Sequence, residues 1–327
     1  MNCRLLRFLT ALLAGIGVVP CAAIAQQGYP SKPLRAILVD ATAGANTDIV
    51  IRSAGPELGN RLGQPIVIEN RVGGVGITGM EACARSAPDG YTFCVASSTA
   101  LSFNPHTQSR LPYDPERDIR PITQLYFVIE GLVASVALPA SNLKELQALA
   151  TSRPAGLNFG TSGPGSNVDI FRQWLGQRWR ANIVGIPYKG FTPIVTALLS
   201  GEVDFARMGL GNIVAPVKNG KLKMIAVNSA ARLRLVPDVP TTTEAGMEEY
   251  PVRAWWGMIA PAATPDAIVA RLNAEVVRLF REPKMSEVLD GLYLESAVGS
   301  PEAFRAFLKL DRDRIGKLVT EFNIPRQ

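Results

Sequence analysis

The chain reads as an α/β protein built from two doubly wound sheets with a ligand cleft between them. Three observations predict this. Short apolar runs of strand length alternate with amphipathic stretches of helix length, the pattern of parallel strands covered by helices on both faces. The alternation runs twice, with polar and turn-rich segments between the two series. Each series also contains a strand that enters a glycine loop ending at a helix start: DATAGANTD at 40–48 and GTSGPGS at 160–166.

In chain order, Leu34–Val39 is a continuous apolar strand, and Asp48 opens a helix that Gly63-Gln64-Pro65 stops near Leu62. Strand Ile66–Glu69 follows. Gly73–Thr78 leads into a helix through Ser86, and the turn Pro88-Asp89-Gly90-Tyr91 feeds strand Thr92–Ala96. Past the polar stretch Ser97–Arg110, the apolar runs Leu125–Ile129 and Leu132–Leu138 read as strands crossing into a second unit. That unit alternates helix Ser141–Ser152, strand Leu157–Phe159, helix Val168–Trp179, strand Ile183–Ile186, helix Thr192–Leu199 and strand Val203–Ala206. A short helix near Ile213–Lys218 and strand Leu222–Asn228 complete it. Pro237–Gly246 is a turn-rich return, Val252–Ala260 a strand leading back, and helices Pro265–Arg281, Lys284–Gly291 and Pro301–Phe322 close the chain. One domain is therefore discontinuous, 26–129 with 247–327, and 130–246 is inserted into it.

Composition narrows the function classes. At 47 % hydrophobic and 19 % charged residues, the chain of 327 has the content of a globular protein with a large core. Residues 1–25 read as a secretory signal: Arg4 and Arg7, an apolar core Phe8–Val19, and Ala23-Ile24-Ala25 for cleavage before Gln26. Cys21 is a poor lipidation site, with Pro20 and Val18 beside it. Removing Arg4 and Arg7 lowers the net charge from +6 to about +4, and the basic residues are scattered, so nucleic-acid binding has no support. Cys83 and Cys94 remain; they read as two small buried residues, with a disulfide as the alternative in an oxidising compartment.

Catalytic and cofactor chemistry find little footing. Gly74-Val75-Gly76-Ile77-Thr78-Gly79 fits G-x-G-x-x-G but lacks an acidic residue at the following strand end, so its glycines read as packing a helix against its sheet. His106 is the single histidine and stands in a polar loop, without a nucleophile elbow or metal-ligand spacing anywhere. No cofactor and no metal are expected. What remains are the two glycine loops. A helix N-terminus carries free N–H groups and partial positive charge, and two facing one another would enclose a small anion. Ser166 or Asn167 caps the second helix; Asp48 caps the first or accepts hydrogen bonds from bound water.

The ordered segments YPSKPLRAILV, RLGQPIVIENRVGG, APDGYTF, LPYDPERDI, LNFGTSGPGS, IPYKG, ALLSGEVD, NGKLKMIAV, LVPDVPTTTEAG and IAPAATP resemble the Bug-type solute receptors of tripartite tricarboxylate transporters, across essentially the whole mature chain. The resemblance implies a type II periplasmic-binding-protein fold that closes on a small organic acid and presents it to integral membrane transporter subunits. It implies a periplasmic monomer without enzymatic activity; a rival reading hands the closed form to a sensor kinase. Carried over by position, the ligand-binding residues are Thr42, Gly44, Thr47 and Asp48 in the first loop and Thr161, Ser162, Gly163 and Ser166 in the second, with Ser97 and Ser98 lining the cleft. Lys189 in IPYKG, a surface turn residue or a ligand contact, and Arg207 are further candidates. Two departures stand out. Asp40 and Ala43 occupy the usual proline positions of the first loop, and Arg207-Met208-Gly209 replaces a usual Asp-Asn pair. Asp40 would repel a carboxylate and Arg207 attract one, so specificity is expected to depart from the common dicarboxylates toward a ligand with an amide, amine or aromatic part.

Overall fold

The computed structural model describes residues 28–188 and 190–327; the signal segment, its cleavage site after Ala25, and Lys189 lie outside them. The elements are β1 Leu34–Val39, α1 Asn46–Leu62, β2 Ile66–Arg71, α2 Ile77–Ala84, β3 Thr92–Ser97, α3 Asn104–Thr107, β4 Ile119–Val128, β5 Glu130–Ser135, α4 Leu143–Ser152, β6 Leu157–Thr161, α5 Asn167–Trp179, β7 Ile183–Pro187, α6 Phe191–Ser200, β8 Phe205–Gly209, α7 Val214–Lys218, β9 Leu222–Asn228, β10 Trp255–Pro261, α8 Asp266–Phe280, α9 Pro283–Gly291, β11 Leu294–Ser296 and α10 Pro301–Glu321.

They form two sheets, ordered β11-β4-β10-β3-β1-β2 and β7-β6-β8-β5-β9. Each is buried on both faces, as the alternating side chains of single strands show. In β1, Leu38 joins a core with Val50, Phe93, Met258 and Leu272, while Ile37 and Val39 join another with Cys94, Trp255 and Phe304. In β8, Phe205 packs with Phe159, Phe171 and Trp174, while Ala206 and Met208 meet Ile194 and Leu198 on the other side.

Both sheets are mixed, which the expectation of parallel strands missed. β10 runs antiparallel to β3 and β4, and β5 antiparallel to β8 and β9. The cause is the double crossing. The chain leaves the first sheet along β4, enters the second along β5, and must return along β10 in the opposite direction. The two crossings touch: Val128 N–H donates to Ala254 O at 2.8 Å. The C-terminal helix α10 also spans both units. Phe304 and Leu308 belong to a core of the first sheet, and Ile315 and Leu318 to a core of the second. Gly257 of β10 has no side chain because the Phe304 ring fills the space, 2.2 Å from where its Cβ would stand. Trp255 Nε1 donates to the buried Asp311 at 2.9 Å and pins the middle of α10 to β10.

Cys83 of α2 and Cys94 of β3 are bonded to each other, with Cα atoms 6.2 Å apart. The preference for two unpaired buried thiols is thereby corrected. The turn that joins helix to strand returns the chain so that both side chains enter the same core, a proximity not visible in their spacing of 11 residues. Closing a loop of that size contributes about 3 kcal/mol in the chain-entropy account. The double variant Cys83→Ala/Cys94→Ala is therefore expected to unfold at lower denaturant, by about 2–3 kcal/mol. A denaturation curve superimposable on that of the oxidised protein would refute this.

Candidate functional site

The two glycine loops are built to one plan. Residues 44–49 read G-A-N-T-D-I and residues 165–170 read G-S-N-V-D-I, an internal repeat of G-x-N-x-D-I. Gly44 and Gly165 both adopt left-handed backbone, at φ +80° and +75°, which a side chain would strain. The asparagine is the first helical residue in each case and the aspartate the third. Asp48 reaches back to accept from the N–H of Gly44 at 2.9 Å, and Asp169 from that of Gly165 at 3.2 Å.

Each aspartate is braced by an arginine one turn along. Arg52 Nε donates to Asp48 Oδ1 at 2.8 Å, and Arg172 Nε to Asp169 Oδ1 at 2.8 Å. Each arginine then reaches the neighbouring strand, Arg52 to Asn70 Oδ1 at 3.0 Å and Arg172 to Ile183 O at 2.7 Å. Asn70 itself donates to Ala41 O and Asp48 Oδ1, which ties the first loop to β2. A tyrosine meets each first turn: Tyr126 O–H donates to Thr47 Oγ1 at 2.8 Å, and Tyr250 O–H to Asn167 Oδ1 at 3.3 Å. The Arg52 guanidinium, aided by Gly44 N–H and Asn70, holds the Asp48 carboxyl down at about 2 against the opposing effect of burial.

These bonds correct two expectations. The N-cap of α1 is Ala45, without a side-chain bond, and Asp48 serves from the third helical position. The glycine N–H groups are not free donors: Gly44 and Gly165 are taken up by the aspartates and Gly163 by Thr161 Oγ1 at 3.2 Å. Free are the first-turn N–H groups of Asn46, Thr47, Asn167 and Val168, which meet no acceptor among the described residues. Of the two cap candidates, Ser166 is the N-cap of α5: its Oγ accepts from Asp169 N–H and donates to Gly163 O.

The remaining candidates fall as follows. Thr42 and Ser162 are exposed at the loop tips, and Ser97 and Ser98 are buried at the end of β3. Asn46 lies against Gly211 in the turn after β8, so the first loop abuts the second sheet's unit. Arg207 is 4 % exposed and paired with Glu130 at 2.5 Å; its other neighbours are Val252, Phe171 and Tyr250, none of them in a glycine loop. Its charge is thus neutralised rather than offered to a carboxylate at the loops, contrary to expectation. Asp40 is exposed, with left-handed backbone. Gly76 and Gly79 serve packing: a Cβ on Gly79 would stand 3.0 Å from Val39 Cα, and one on Gly76 3.0 Å from Ala100 Cβ. His106 is half-buried against Gly316 of α10. A groove of about 700 Å³ runs along α1 past Gly55, Gly59 and Pro65. Missed from sequence were Asp169, Asn70, Arg52 and Arg172. The repeat G-x-N-x-D-I was the signal that would have found Asp169.

Residues 50–324 match the family described as the tripartite tricarboxylate transporter family receptor. Among solved structures, the periplasmic binding protein BugD is 29 % identical with a TM-score of 0.74, covering 91 % of this chain and 100 % of that one. An R. palustris protein with adipate is 27 % identical with a TM-score of 0.80, over 91 % of this chain and 100 % of that one. MatC from Rhodopseudomonas palustris with bound malate is 30 % identical with a TM-score of 0.73, over 89 % and 100 %.

A hydrogen bond to a charged acceptor contributes about 1.5–3 kcal/mol. Asp48→Asn and Asp169→Asn are therefore each expected to speed hydrogen exchange at Gly44 or Gly165 roughly ten- to hundredfold, with the other loop unchanged. Because the Asp48 carboxyl titrates lower when folded, its contribution is fully present above about pH 4 and is lost as pH falls toward 2. The exchange measured across that window should show the same loosening in the unsubstituted protein. A Gly44 amide indifferent to both changes would refute the clamp.

Proposed function

We propose a solute-capture role for this chain, which belongs to the tripartite tricarboxylate transporter receptor family. The family is one of solute-binding receptors and not of enzymes. The chain binds a small organic acid between its two loop-bearing lobes, 26–129 with 247–327 and 130–246. The observation that carries this reading is the duplicated helix N-terminus, each with a buried aspartate and free first-turn N–H groups. Such an arrangement presents oriented donors and partial positive charge to a carboxylate from each side. The adipate and malate held by the two relatives are ligands of that class.

Within this reading, Asn46, Thr47, Asn167 and Val168 supply backbone donors, and Thr42, Ser97, Ser98, Ser162 and Lys189 line the space around them. Asp48, Asp169, Gly44, Gly163, Thr161 and Ser166 hold the loops in shape. A ligand touching both loops gains from closure, and closure is the population shift that makes a receptor legible to its partner. The chain is exported, cleaved after Ala25, works as a periplasmic monomer, and hands its solute to integral membrane transporter subunits. The buried Cys83–Cys94 bond suits an oxidising compartment.

Native mass spectrometry of the protein purified from its exported form tests this directly. The expected result is a monomer carrying the extra mass of a small acid, lost on denaturation, with N-terminus at Gln26. Asp169→Asn is expected to lower the affinity for that acid about tenfold or more. A bare protein that a panel of mono- and dicarboxylates fails to stabilise against heat would overturn the carboxylate reading.

A further inference from the structure

We propose that residues 323–327 form a strap that holds the second glycine loop in place, and that protonation of His106 loosens it. Gln327 N–H donates to Thr107 O at 2.8 Å, and Ser109 N–H donates to Gln327 O at 2.7 Å. These two bonds lay Gln327 along the segment that leads from β3 to β4. The Gln327 side chain turns the other way: its Nε2 donates to Pro164 O at 2.9 Å, inside the second glycine loop. Ile324 Cγ2 stands 3.1 Å from where a Cβ on Gly165 would be, so strap and loop meet at two consecutive loop residues.

The single histidine of the chain belongs to this contact. His106 directly precedes Thr107, and its Cε1 stands 2.8 Å from where a Cβ on Gly316 of α10 would be. With Asn323, Ile324 and Arg326 of the strap it lines a groove of about 410 Å³. The surroundings favour the neutral ring. Its Nε2 is buried and meets no acceptor among the described residues. A neutral imidazole can leave that nitrogen bare, whereas the imidazolium carries a proton on both nitrogens.

The charges around the ring act in the same sense. They are Arg312 and Asp313 of α10, Arg326 of the strap, and Asp114, Glu116 and Arg117 across a second groove. The carboxylates are already engaged: Glu116 accepts from Arg312 at 3.0 Å, Asp313 from Lys309 at 3.0 Å, and Asp114 from the N–H groups of Glu116 and Arg117. Arg326 is part of the strap, so an imidazolium beside it repels the segment that the contact holds. Burial, with Arg326 and Arg312, pushes the His106 pKa below its ordinary value, against the Arg312 carbonyl and Asp313. A pKa depressed by the closed strap favours that strap above about pH 6.5, and the advantage is lost as pH falls below it. Within the solute-capture reading, acid then loosens the second loop and weakens capture; that consequence rests on the reading, and the strap does not.

Amide hydrogen exchange on the full exported protein without solute is the test, read as protection factors so that the intrinsic pH dependence of exchange drops out. From about pH 7.5 to about pH 5.5, protection of Ser109 and Gln327 is expected to fall severalfold, with about tenfold as the limit one unit below the ordinary histidine value. Gly165 should fall with them. Gly44 should not, because the Asp48 clamp titrates at about 2. His106→Gln, which takes no proton in this range, should abolish the fall. If that variant opens the strap at both pH values, Arg326→Gln decides: with the repelling charge gone, the His106 midpoint, followed by its ring proton shifts, should move to higher pH. Unchanged protection at Ser109 and Gln327 would overturn the strap, as would a fall of equal size at Gly44 or in His106→Gln, or an unmoved midpoint in Arg326→Gln. Because no solute is needed, such a failure leaves carboxylate capture standing, and a protein that binds no acid leaves the strap standing.

Discussion

Two buried aspartates hold the two glycine loops, and the shape of both helix N-termini depends on their hydrogen bonds. A helix N-terminus by itself is a frayed end with unpaired donors. Asp48 and Asp169 convert it into a fixed surface by folding the preceding glycine back onto the first turn. The negative charge of the clamp would oppose an anion if it were bare. Arg52 and Arg172 cancel it from behind, and both are anchored to the next strand, so the cancelling charge cannot swing forward. What the loops leave unpaired is then the set of first-turn backbone donors. Hydrogen bonds within each loop fix its shape without any partner from outside the chain.

The topology joins the two loop-bearing sheets by adjacent crossings. Strand carboxyl ends are where loops gather in α/β sheets. Because β4 and β5 run nearly on from one another, residues 119–135 carry the chain from one sheet into the next, and β10 brings it back beside them. The long helix α10 adds a third connection through Ile315 and Leu318. Motion between the lobes must therefore bend two adjacent strand crossings and shift one helix, a hinge restrained on three lines rather than a free linker.

Much of this was legible in the sequence, and the boundary is physical. Strand and helix order follow local periodicity, so β1, α5 and the C-terminal helices lie within a few residues of where alternation and capping put them. Ser166 was legible as a cap because capping is a contact over three residues. The packing role of Gly76 and Gly79 was legible from what the motif lacked. Strand direction was not, since β10 owes its antiparallel pairing to a crossing more than a hundred residues long. The Cys83–Cys94 bond needed Cβ positions. The aspartate clamps were missed for a different reason: the repeat was present at 44–49 and 165–170, but each loop invites reading as an open nest until the acceptor of the glycine N–H is known.

Arg207 shows most clearly why side-chain roles outrun sequence. It was read as a cation near the cleft, yet its position is fixed by the pairing of two strands. In the register of β5 with β8, Glu130 stands opposite Gly209 and Arg207 opposite Leu132, so the two charges are diagonal neighbours on one face. A slip of one residue would turn Glu130 onto the opposite face, among Val133, Ala206 and Met208, where no cation waits. Apolar residues of similar volume would fill the site at no loss, and often with a gain, in stability. What the pair costs is felt on a slip: in a shifted register both charges would be buried without each other, which is far more costly than the pair itself.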